Sequence, residues 1–125
     1  MLVDGCVFCQ IVARRAPAQI IHEWPDALAI VPLQPVAPGH LLVLPVQHVR
    51  DFMADPAVTA AVALRAAEIA HRPCNLIASA GGAATQTVWH LHLHVVPRRS
   101  GDGLALPWSG SPEPAPAGGE EPDHG

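Results

Sequence analysis

Charge is scarce in this chain: 14% of its residues are Asp, Glu, Lys or Arg, and the net charge is −4. That balance removes the electrostatic basis for binding nucleic acid or an anionic membrane surface. Long hydrophobic runs are also missing. Half the residues are apolar, yet no stretch approaches the roughly 20 consecutive apolar residues of a transmembrane helix. The opening Met1-Leu2-Val3-Asp4-Gly5-Cys6 has no basic segment followed by an apolar one, which predicts no secretory signal. Cysteine is sparse and odd in number. There are three, of which Cys6 and Cys9 form a Cys-x-x-Cys. A reduced, cytoplasmic protein with a metal half-site fits this better than a disulfide framework does. Cys74 reads as a small buried apolar residue. No P-loop, dinucleotide-binding glycine fingerprint or serine nucleophile elbow occurs, so those routes to phosphate binding or acyl transfer drop out.

What remains is the pattern of one small domain of 125 residues, for which a dimer or a structural metal would be a useful addition to a modest core. Cys6 to Ala13 predicts a short helix, ended around Arg15-Ala16-Pro17. Residues 19–24 and 27–31 predict two strands joined by a turn at Trp24-Pro25-Asp26. Pro32, Pro35 and Pro38 break the chain before a buried strand from Leu41 to Pro45. Asp55 as N-cap and Pro56 in the first helical position start the main helix, in which Val58, Val62, Arg65 and Ile69 follow helical spacing and Pro73 marks the stop. Asn75 to Ser79 and His90 to Pro97 predict the last two strands. From Ser109 the chain is Pro, Gly and Glu with hardly a large apolar side chain, so residues 109–125 are expected to form a disordered tail after a domain spanning 1–108. The expected class is α+β: an antiparallel sheet, one main helix and a short N-terminal helix.

The richest segment is His90-Leu91-His92-Leu93-His94-Val95-Val96. Three histidines alternate with apolar residues, and a period of two places the imidazoles on one face of a strand with Leu91, Leu93 and Val95 on the other. A single metal cannot take all three. His90 and His94 stand roughly 13 Å apart along a strand, whereas nitrogens on one zinc lie only about 3.3 Å from each other. Such a row suits the reading of an extended polar ligand. The loop before it, Ser79 to Thr87, is rich in small residues that let backbone N–H groups approach an anion, with Gln86 and Thr87 as side-chain donors. At the other end of the chain, the two-residue spacing of Cys6 and Cys9 lets both thiolates reach one zinc, with two more ligands required.

The His-φ-His-φ-His-φ-φ pattern resembles the histidine triad family of nucleotide hydrolases and transferases, and three further stretches agree in order. Cys6-Val7-Phe8-Cys9 is similar to the family's opening motif, Pro38-Gly39-His40-Leu41-Leu42-Val43-Leu44-Pro45-Val46-Gln47-His48 to its central strand, and Gly81 to Trp89 to the loop before the triad. The resemblance covers about residues 6–108, including Pro107-Trp108, and lies nearest the branch of phosphoramidases and bacterial zinc-containing members. It implies a homodimer whose two sheets join, and a purine nucleotide or nucleoside phosphoramidate as substrate. It implies His92 as the nucleophile that forms a nucleotidyl-histidine intermediate, His94 as donor to an α-phosphate oxygen or the leaving group, and His40 as a neighbour completing the cluster. It also implies zinc held by Cys6, Cys9, His48 and His90, which divides the triad between structure and chemistry. Of the remaining histidines, His22 and His71 read as structural.

Two positions depart from the family pattern. Pro32 stands where members carry an Asp that holds the ribose hydroxyls, and no acidic residue lies between Asp26 and His48. Ser79 falls where members use a phosphate-contacting Asn. The nucleophile is left intact, while nucleoside binding is weakened or the substrate changed. Competing readings are a nucleotide- or partner-binding module with little catalysis, a zinc protein using its metal only for stability, and a dinucleoside polyphosphate hydrolase. The Cys-x-x-Cys points away from the last.

Overall fold

A computed structural model describes residues 2–108 of the protein; the expected tail lies outside the described residues. Five strands form one antiparallel sheet in the order β1-β2-β3-β5-β4. They are β1 (Ile20–Glu23), β2 (Ala27–Ile30), β3 (Leu41–Pro45), β4 (Cys74–Ile77) and β5 (Leu93–Pro97). Two helices, α1 (Val7–Val12) and α2 (Pro56–Ile69), complete the fold, which is α+β as the sequence predicts.

Strand alternation sorts the core into two layers. Leu28, Ile30, Leu42 and Leu44 face α1 and pack against Phe8, Cys9 and Ile11. Ala29, Val43, Leu93 and Val95 face the other way and pack with Val62 and Ala66 of α2. A helix of six residues such as α1 is too short to persist alone in water. Its order comes from this apolar face and from its cap, where the Cys6 Sγ accepts the Cys9 backbone N–H at 3.3 Å. Burying Leu28 and Leu44 completely contributes about 2 kcal/mol each. Helix α2 starts as expected, with the Asp55 carboxylate accepting the Ala57 N–H at 3.1 Å and Pro56 following. Arg65, on the same helical spacing as Val62 and Ile69, is not part of the apolar core. It lies at the edge of the buried stripe, where it meets Asp26 at 2.9 Å and stacks over Trp24, because its charge stays hydrated only at the helix flank.

The last strand is shorter than the histidine alternation predicts. β5 begins at Leu93, and His90 to His92 run ahead of it as irregular chain. There the Leu91 N–H bonds the Val49 carbonyl at 2.8 Å in place of a ladder partner. Side-chain alternation nevertheless survives, with Leu91 in the α2 layer and the histidines on the α1 side.

Candidate active site and metal centre

Three segments converge on the α1 face of the sheet. The first is the irregular chain into β5, carrying His90 and His92, with His94 on the strand itself. The second is the proline-rich loop into β3, carrying His40. The third is α1, whose Phe8 packs edge-on to both His90 and His92, with ring centroids 5.7 and 5.1 Å away. Gly39 sets the entry of His40: its φ of +86° is the left-handed region, and a Cβ there would meet Pro97 Cγ at 3.2 Å. Both features favour glycine.

Hydrogen bonds assign the state of each ring. The His92 Nδ1–H donates to the His90 carbonyl at 2.9 Å, which leaves Nε2 with its lone pair. The Val36 N–H donates to His40 Nδ1 at 3.1 Å, so the His40 proton sits on Nε2 and is donated to His94 Nδ1 at 3.0 Å. His94 therefore carries its own proton on Nε2. The cluster thus offers one nucleophilic lone pair, on His92, and one N–H donor, on His94. Burial pushes the His40 and His92 imidazoles below their ordinary value, the latter against the opposing His90 carbonyl. His94 is pushed down to about 4, first by burial and then by the neighbouring His92 and His40. All three rings are mainly neutral at pH 7, which keeps the His92 lone pair available. His40, His92 and His94 line a cavity of about 610 Å³, with Phe8, Pro32 and Thr87 among its other walls.

His90 belongs to a different cluster. Its ring is fully buried, and its Nε2–H donates to the Pro45 carbonyl at 2.9 Å. Nδ1 then presents a lone pair 3.4 Å from Cys6 Sγ, 3.6 Å from Cys9 Sγ and 3.2 Å from His48 Nδ1. The Cys9 Sγ stands 3.3 Å from His48 Nδ1, and all four donor atoms lie within 4.8 Å of one another. Ligands on one tetrahedral zinc are separated by about 3.3 to 3.8 Å. The donor set and its spacing fit a metal ion. Burial also raises the Cys9 thiol above its ordinary value, with Cys6 adding to the shift, a cost that a bound cation offsets.

The substrate-loop residues fare differently. Thr87 lines the cavity. Ser79 follows β4, whose Ile77 pairs with His94, so it lies two residues further toward the His92 end. Gln86 is a correction. It is buried, its Oε1 accepts the Gly81 N–H at 2.9 Å, and its Nε2 donates to the Arg50 and Val88 carbonyls at 2.8 and 3.0 Å. Its amide is spent on holding the loop, leaving no donor for a ligand. Sequence reasoning also missed Phe8, the Val36 N–H and the Pro45 carbonyl. The backbone groups carry no side-chain signal at all. Of the two histidines expected to be structural, His22 stacks on Trp24 with centroids 5.5 Å apart.

The HIT domain family matches residues 13–101. The chain belongs to this family. A HIT-like protein of Mycobacterium tuberculosis is 41% identical over 110 residues, 81% of this chain and 76% of that one. A zinc-bound histidine triad family protein from Mycobacterium smegmatis, known as a crystal structure, is 42% identical with a TM-score of 0.70, covering 82% of this chain and 81% of its own. The adenylylsulfatase HINT3 of Arabidopsis thaliana is 30% identical over 82% of this chain and 57% of its own length. The chain thus has the fold of a family of nucleotide-binding proteins and hydrolases, and carries a Cys/His cluster compatible with metal. Among the described residues, no helix is long and apolar enough to cross a membrane.

Proposed function

We propose that this HIT protein hydrolyses nucleoside phosphoramidates, or related nucleotides linked through the α-phosphate, by way of a nucleotidyl-His92 intermediate. The observation that carries this is the His92 Nδ1–H bond to the His90 carbonyl, which leaves the Nε2 lone pair in the cavity wall. That lone pair forms a bond to the α-phosphorus as the bond to the leaving group breaks. The departing nitrogen keeps the electron pair and takes its proton from solvent, because a neutral His94 donates a hydrogen bond without giving up its proton. The Nε2–H of His94 offsets the charge developing on the phosphoryl oxygens, and Thr87 and Ser79 add hydroxyl donors. Water then attacks the phosphorus, freeing His92 and releasing the nucleoside monophosphate.

Zinc on Cys6, Cys9, His48 and His90 is the proposed structural cofactor, tying α1 to the chain ahead of β5 and supplying no step of the reaction. A reducing, cytoplasmic compartment suits the free thiols of Cys6 and Cys9. β4 is an edge strand with Leu76 half exposed, which supports the expected homodimer. A second reading, a nucleotide-binding module with little catalysis, is favoured by one observation: the described cavity wall contains no carboxylate. Release of AMP from adenosine 5′-phosphoramidate, run beside His92→Ala, separates the two. The enzyme reading requires turnover that vanishes in the variant, together with an adduct on His92 seen by mass spectrometry. Tight AMP binding with no turnover in either protein would establish the binding module instead.

A further inference from the structure

We infer that this pocket does not discriminate ribose from 2′-deoxyribose, and recognises the group attached to the phosphate mainly through apolar contact. The inference builds on the proposed phosphoryl chemistry at His92. A group bonded to a phosphorus at His92 Nε2 must occupy the cavity that His92 lines. The walls beyond the histidines are mainly apolar: Phe8, Ile11, Ile30, Pro32, Val36 and Leu42. No aspartate or glutamate is among the described lining residues. On the adjoining hairpin, Glu23 is engaged by Arg14 and Asp26 by Arg65.

The polar atoms that remain are poorly suited to a vicinal diol. Both His40 nitrogens and the His94 Nδ1 are already bonded, and the Val31 N–H is held by the Gln19 carbonyl at 3.0 Å. The side chains of Gln19 and Gln34 are neutral amides on exposed residues, where water competes for them. Discrimination for a hydroxyl arises when a site provides a partner that the analogue leaves unpaired. With Thr87 assigned to the phosphate, sugar hydroxyls here either stay hydrated at the rim or face Pro32 and Val31, whose side chains offer no polar partner. In both cases the 2′-hydroxyl brings no advantage, and a flat aromatic base against the apolar walls provides the binding.

The test compares the 5′-phosphoramidates of adenosine and 2′-deoxyadenosine as substrates of the unmodified protein, and AMP with dAMP as ligands in calorimetry. The kcat/KM values and the dissociation constants should agree within about threefold, or favour the deoxy compound. A ribose preference of about tenfold or more in either measurement overturns the inference, and so does failure of both nucleotides to bind. Turnover that survives His92→Ala, or no turnover alongside equal binding, sinks the chemical proposal while leaving the sugar indifference standing. Pro32→Asp, which puts a carboxylate in the wall, should shift the ratio toward ribose by about tenfold. An unchanged ratio in a variant with the parent's melting temperature would count against the pocket wall as the place where the sugar lies.

Discussion

At His90 the Nε2 proton is tied to the Pro45 carbonyl and Nδ1 faces two sulfurs and a second imidazole. Four residues on, at His94, Nδ1 accepts from His40 and the Nε2–H is left toward the cavity. In the first cluster, sulfur and ring-nitrogen atoms converge at 3.2 to 3.6 Å, an arrangement compatible with a bound cation. In the second, each ring nitrogen has a complementary neighbour or opens on the cavity, so no ion is needed. One residue type thus sits among possible metal-binding atoms in one place and on a cavity wall in the other, within one short segment. The hydrogen-bond partner of the far nitrogen makes the difference.

Four experiments test this contrast. The largest effect belongs to His92→Ala, which should lower kcat/KM by ~10³-fold or more, as loss of a nucleophile does, with melting little changed. A similar loss of activity from His90→Ala in a still-folded protein would dissolve the distinction between the clusters. Second in size, removal of metal by a chelator, or Cys9→Ala, should lower the melting temperature by about 10 °C or more. Identical melting curves before and after complete zinc removal, with zinc measured by elemental analysis, would rule out a stabilising metal.

His40→Ala should act on the other cluster alone. Without the donor that selects the His94 tautomer, kcat should drop about tenfold, while zinc content stays at the parent value. The smallest effect concerns pH. His94 titrates at about 4 in the folded protein against an ordinary 6.5. Between those values the unfolded chain binds more protons than the folded one, so stability rises with pH in that window and is lost as pH falls from 6.5 toward 4. The contribution is roughly 1 kcal/mol after solvent screening. His94→Gln should therefore show a shallower decline in melting temperature between pH 6.5 and 4.5. An unaltered slope would place the acid sensitivity elsewhere.

Much of the fold was legible because its signals are local. The Asp55-Pro56 start of α2, the Trp24-Pro25-Asp26 turn and the apolar run of β3 each reflect propensities of a few neighbouring residues. The start of β5 was not. Alternation extends back to His90, but Val49 claims the Leu91 N–H and the ladder begins later. Gln86 shows the same limit at the site. In a loop of Gly, Ala and Thr an amide resembles a ligand donor, and only the positions of Arg50 and Gly81 reveal that it is already occupied.

The class of fold, the face on which the histidines lie, the cysteine pair available to a metal and the absence of a carboxylate between Asp26 and His48 could all be read along the chain. These are matters of residue type and period, which hold wherever the chain goes. Which nitrogen of each imidazole carries its proton came from the tertiary structure, as did the 3.2 to 3.6 Å approach of Cys6, Cys9, His48 and His90, a set that only the family resemblance had implied. The tertiary structure also decided that Pro32 walls the cavity His92 opens into. Tautomers and ligand sets depend on atoms brought together within about 3 Å from positions distant in the chain. No spacing along the sequence encodes that approach.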